Sequence, residues 1–148
     1  MTEYEIVQYI EHHINEYGSA GLNITWLNKP QLPTLEPMLR DMPALGLRFV
    51  LTPEKYSVGE VVHPEGEEIP VSTMADILDL LKVRRNELGF GKRNDIATLL
   101  GVDPTYYSHI ENGQYQLSLK LFLRICRMLH IDVRVEQTDN PYSGELFG

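Results

Sequence analysis

The chain has 148 residues, 43% apolar and 23% charged, and its 21 acidic against 13 basic side chains give a formal charge of −8. That length suits one domain or two small ones that lean on each other, and the composition excludes a disordered chain, a fibre and, with no apolar run near the ~20 residues required, a membrane helix. The opening MTEYEIVQYIEHH has neither a basic start nor an apolar run of signal length, and the lone Cys126 permits no internal disulfide or structural zinc, so a cytoplasmic protein is expected.

In chain order, Ile6, Ile10, Ile14 and Tyr17 fall at helical spacing over residues 3–17, and Gly18 and Gly21 end that helix. Leu22–Leu27 (LNITWL) alternates like a strand, and Thr34–Asp41 reads as a short helix between Pro33 and Pro43. Leu47–Thr52 and Tyr56–Val62 are β-rich runs around a turn at Pro53, which predicts that they pair as a hairpin. HPEGEEIP, from His63 to Pro70, is an acidic loop. Residues 1–73 thus read as a small acidic α/β unit, near the lower size limit for independent stability. They hold eleven acids against four bases.

From Met74 the pattern turns helical. Ile77, Leu78, Leu81 and Leu88 share one helix face, which Gly89 to Gly91 terminates. A second helix is expected over about Lys92 to Leu100, with Ile96, Ala97 and Leu100 inward and Gly101 at its C-terminal end. Asp103-Pro104 is a strong start signal, because the carboxylate caps free N–H groups while proline at the first helical position loses no hydrogen bond. Tyr107 and Ile110 point inward along the third helix, Gly113 ends it, and Ser118 caps a fourth carrying Phe122, Ile125, Cys126 and Leu129. Short helices joined by a Gly-containing turn make a helix-turn-helix core. The run Ile131 to Gln137 then alternates as a strand that either joins the front sheet or pairs with its own copy in a dimer, the second being favoured. The whole reads as an α+β chain: residues 1–73, a helix-turn-helix of four to five helices with a C-terminal strand over 74–137, and a tail at 138–148.

The stretch IATLLGVDPTYYSHIENGQYQLSLKLFLRICRMLHI resembles the lambda-repressor-like, Cro-type helix-turn-helix domain of the XRE family. Ala97, Gly101-Val102, Ser108, the Ile110-Glu111-Asn112-Gly113 run, Ser118 and Leu129-His130-Ile131 carry the likeness, over about residues 76–135. LGFGKR, at Leu88–Arg93, is one residue longer than the family's usual Gly-Leu-Ser-Gln, and Arg93 stands where glutamine is common. The resemblance implies a sequence-specific DNA-binding transcription regulator acting on double-stranded DNA as a homodimer, with a repressor as one form. It also implies that Asn112, Gln114 and Tyr115 lie near the DNA backbone.

A helix that enters the major groove offers its outward residues to base edges, which selects Thr105, Tyr106 and His109. Lys92 and Arg93, basic side chains at a helix N-terminus, suit phosphate. None of the three base-facing residues is the Arg, Asn or Gln of the most discriminating contacts, so modest selectivity is expected. Arg84 and Arg85 either reach phosphate or pair internally with a carboxylate such as Glu111. The charge of −8 argues against nucleic acid only until it is resolved along the chain, since Lys82–Arg93 holds five bases and one acid. The acidic front suits a protein partner, as in an antitoxin that neutralises a basic toxin. The alternative to a regulator is a protein-interaction module that keeps the fold without binding DNA.

Other conspicuous residues have plain explanations. His12 and His13 are adjacent and cannot share a helix face, His63 lacks a second histidine at ligand spacing, and Trp26 and Cys126 suit core positions. No phosphate loop, dinucleotide fingerprint, catalytic triad or metal motif is present, so neither an enzyme nor a cofactor is expected.

Overall fold

The computed structural model describes residues 1–28, 34–58, 60–90 and 93–138. Helix α1 spans Glu3–Tyr17 and opens on a capping box, in which Thr2 and Glu5 satisfy each other's backbone N–H groups. A 3-10 turn at Thr25–Asn28 leads to α2, Leu35–Asp41. Four strands follow, β1 (Leu47–Pro53), β2 (Tyr56–Val58), β3 (Val61–His63) and β4 (Ile69–Val71). Helices α3 (Met74–Glu87), α4 (Arg93–Leu100), α5 (Pro104–Glu111) and α6 (Leu119–Met128) precede strand β5, Ile131–Gln137.

The three-stranded sheet has the order β4-β1-β5 and is antiparallel throughout. The terminal strand joins the front sheet, with Leu47 opposite Gln137 and Pro53 opposite Ile131. Two further expectations are corrected. Leu47–Thr52 does not pair with Tyr56–Val62, because β4 and β5 occupy both edges of β1; β2 instead folds back on β3, with Val58 opposite Val61. Leu22–Leu27 is no strand. Its Trp26 is buried and its indole N–H donates to Asp41 Oδ2 at 2.7 Å, so the segment curls over α2.

One hydrophobic cluster runs through both segments, from Ile6, Ile10 and Met38 through Phe49 and Leu51 to Ile77, Ile96, Phe122 and Val133. Phe49 and Phe122 meet edge to face with centroids 6.0 Å apart. Burial of each such side chain is worth roughly 1.5–3 kcal/mol. Polar contacts join the same segments. Leu35 N–H donates to Leu117 O at 2.8 Å, the N-terminal ammonium donates to Val133 O at 2.7 Å, and Gln137 lies 3.1 Å from Nδ1 of the buried His13. His13 Nε2 is 2.7 Å from Leu45 O. A carbonyl only accepts, so Nε2 carries the proton and Nδ1 receives the Gln137 amide. His13 is thus a buried structural side chain, held at both ring nitrogens.

Candidate nucleic-acid interface

Local signals fix the helix-turn-helix. At the end of α4, Gly101 adopts φ +73°, its N–H donating to Thr98 O at 3.1 Å while Val102 N–H reaches Ala97 O at 3.0 Å. This closing pattern wants a left-handed residue, which a side chain resists. Asp103 follows at once, and its Oδ1 accepts from Thr105 N–H at 2.8 Å and Tyr106 N–H at 3.2 Å, so α5 starts with satisfied donors. The same closure recurs at the far end of α5, where Gly113 has φ +78° and Gln114 N–H donates to His109 O at 2.8 Å. On its inner face α5 buries Tyr107 and Ile110.

An ion pair inside the fold ties α5 to α3. Arg85 Nε and Nη2 donate to Glu111 Oε2 and Oε1 at 3.1 and 2.8 Å, and Arg85 Nη1 donates to Phe90 O at 2.7 Å. Both side chains are buried. Arg84, also buried, donates from Nε to Leu129 O and from Nη2 to Glu54 O, each at 2.9 Å. Of the two alternatives open for these arginines, the structure takes the internal one. Both lie seven residues beyond core positions, Arg84 after Ile77 and Arg85 after Leu78, and that periodicity was the available signal for their burial. The basic run therefore offers DNA fewer charges than its sequence implies. Arg124 Nη2 donates to Leu100 O at 2.7 Å, and Arg134 pairs with Glu68 at 2.7 Å and Glu136 at 3.1 Å. Among the described residues, Lys82, Lys120 and Arg127 make no ion pair or side-chain hydrogen bond. Lys92 and the side chain of Arg93 lie outside the described residues.

The outward face of α5 brings the base-facing candidates together. Thr105, Tyr106 and His109 line one open groove with Asp103, Tyr115 and Gln116. The Tyr115 ring packs 5.7 Å from Tyr106 and 5.1 Å from His109, centroid to centroid. Tyr115, expected near phosphate, thus shares the groove of the base-facing set. Asn112 is exposed at the end of α5, and Gln114 lines a separate small hollow with Glu36 and Leu78. Gln116 was not singled out by the sequence. The loop after Gly113 returns it to the groove, and no local pattern announces that return. Asp103 places a carboxylate at the leading end of the same face.

Residues 81–135 match the family model described as helix-turn-helix. Over this segment the chain is similar to helix-turn-helix domains. The chain is also 39% identical over 56 residues to the "ImmF control region 10 kDa protein" of Bacillus phage phi105, a match covering 38% of this chain and 61% of that protein. The chain therefore spans less than two thirds of the curated relative it matches. No solved structure matches the chain. Among the described residues, no helix is long and apolar enough to cross a membrane.

Proposed function

We propose that the chain is a DNA-binding transcription regulator of XRE type rather than an enzyme, with α5 as the reading helix. The observation that carries this is the capped, internally anchored α5, which brings Thr105, Tyr106 and His109 together with Tyr115 in one open groove. In a major groove these side chains offer a hydroxyl and methyl, an amphipathic ring and an imidazole, while Gln116 adds an amide suited to adenine. Lys92, Arg93, Asn112 and Gln114 supply backbone contacts. The helix-turn-helix match supports the reading, as does a phage relative named for a control region. In its finer form the protein is a homodimeric repressor on two half-sites about one helical turn apart, and its acidic front binds a protein partner.

Binding to DNA selected from a random pool, followed by fluorescence anisotropy, tests the proposal. Expected is a strong preference for selected over random duplex, with affinity falling as salt rises at a log–log slope of roughly −2 to −4, because few phosphates are neutralised. Arg93→Glu weakens binding to every sequence, whereas His109→Ala relaxes the preference. Equal affinity for selected and random duplex, or no salt dependence, refutes it. The rival reading, a protein-interaction module, draws on one specific observation: buried Arg84 and Arg85 leave an aromatic groove with Asp103 at its head. That rival is supported if selection yields no DNA.

A further inference from the structure

The groove along α5 has a chemistry that bears on which base pairs fit it. Thr105 and His109 lie one helical turn apart with Tyr106 beside them, so the three share a stripe of the helix. Tyr115 packs against that stripe, its ring 5.7 Å from Tyr106 and 5.1 Å from His109. The three rings make one aromatic platform, to which Thr105 adds a methyl group. Asp103 and Gln116 complete the lining, which among the described residues holds no lysine or arginine.

Backbone contacts fix the platform. The loop that carries Tyr115 and Gln116 is pinned at its near end, where Gln114 N–H donates to His109 O at 2.8 Å. At its far end Leu117 O accepts from Leu35 N–H at 2.8 Å, and Ser118 forms a β-bridge with Thr34. One anchor therefore comes from the reading helix and the other from the front half of the chain. Little ordering is left for binding to supply.

The four base edges ask for different things in the major groove. Guanine presents two acceptors, which paired donors of arginine or lysine meet best, and cytosine presents a donor; adenine presents an acceptor beside a donor, and thymine an acceptor beside a methyl group. Asp103 repels the guanine acceptors, and its Oδ1 is already engaged by the N–H groups of Thr105 and Tyr106. The rings of Tyr106 and Tyr115 offer what a thymine methyl group needs. We propose that this groove reads A·T pairs through thymine C5-methyl groups packed on the two tyrosine rings, which makes Tyr115 a specificity-determining residue although it lies outside α5. The inference rests on the DNA-binding reading above and names the base pairs that reading leaves open.

The test uses the full chain and DNA selected from a random pool. Each thymine of the selected site is replaced in turn by deoxyuridine, which removes the methyl group and keeps every hydrogen bond, and affinity is measured by anisotropy. Expected is an A·T-rich site with about a fourfold loss at each thymine that meets the rings, the amount one buried methyl group contributes. Tyr115→Phe keeps that loss because the ring remains. Tyr115→Ala, at a position 52% exposed and so mild for the fold, binds the thymine and deoxyuridine forms alike at one such position. A selected site that wild type binds equally well with every thymine replaced overturns the proposal and leaves the DNA-binding reading intact. So does a methyl dependence that Tyr115→Ala retains in full, since the stiffness of the DNA rather than the ring then senses the methyl group. Failure to select any DNA overturns both together.

Discussion

Replacement of Arg85 by alanine is expected to be among the most damaging single changes in the second half of the chain. The guanidinium supplies two N–H groups to the Glu111 carboxylate and one to Phe90 O, and Glu111 is 2% exposed. Alanine leaves that carboxylate buried without its bidentate partner, at a cost of about 3–5 kcal/mol, against a total stability of roughly 5–15 kcal/mol for a domain. Lysine restores a charge but concentrates it on one nitrogen, which cannot span both carboxylate oxygens and Phe90 O, so Arg85→Lys falls between. The paired change Arg85→Met with Glu111→Leu removes both charges and keeps the volume, and is expected within about 1 kcal/mol of wild type. Urea unfolding followed by the fluorescence of Trp26, the sole tryptophan and a buried one, reads these differences. At a typical denaturant slope the alanine variant unfolds at a midpoint about 1–3 M lower. The reasoning is refuted if Arg85→Ala costs under about 1 kcal/mol, or if the double change costs as much as the two single changes added together.

Asp103→Ala removes the acceptor for two N–H groups of α5 and is expected to cost about 1 kcal/mol in the same assay, whereas Asp103→Ser keeps a cap, sheds the negative charge and tightens DNA binding measured by anisotropy. Cys126 is buried and burial pushes its thiol upward, so a thiol-reactive disulfide reagent at neutral pH leaves the native protein unmodified and labels it only in urea. The Arg40 guanidinium, aided by the Trp26 indole N–H, holds the Asp41 carboxyl below its ordinary value. A depressed carboxyl adds stability that is present above its unfolded-state value, about 3.9, and disappears as pH falls through the folded one, so Asp41→Asn flattens the acid limb of a stability profile below about pH 4.

The second half of the chain was legible because its determinants are local. Gly101, Asp103-Pro104, Gly113 and Ser118 each act within a turn or two of their own position, and the structure ends and starts helices at those residues. The front half depends on partners far away in sequence. Leu47–Thr52 carries the composition of a strand, but nothing near it in sequence says that its edges go to Ile69–Val71 and Ile131–Gln137. Leu22–Leu27 alternates as a strand does and finds no open edge. At the interface, the outward placement of Thr105, Tyr106 and His109 followed from helical periodicity alone. Gln116 reaches the same groove through an irregular loop, which periodicity does not describe. Arg84 and Arg85 show the converse, since their charge drew attention to the surface while their spacing from Ile77 and Leu78 pointed inward.

The pairing of β1 with β5 sets a condition on how the protein forms. Phe49 meets Val135 across more than half the chain, so during synthesis β1 can hold only its short partnership with β4 until the final strand leaves the ribosome. Until then the Leu47–Pro53 edge, with its apolar Phe49, Val50 and Leu51, stays open to any passing strand. Completion of the helix-turn-helix and protection of that edge are therefore one event, and a chain interrupted before Ile131 is expected to aggregate rather than fold in part.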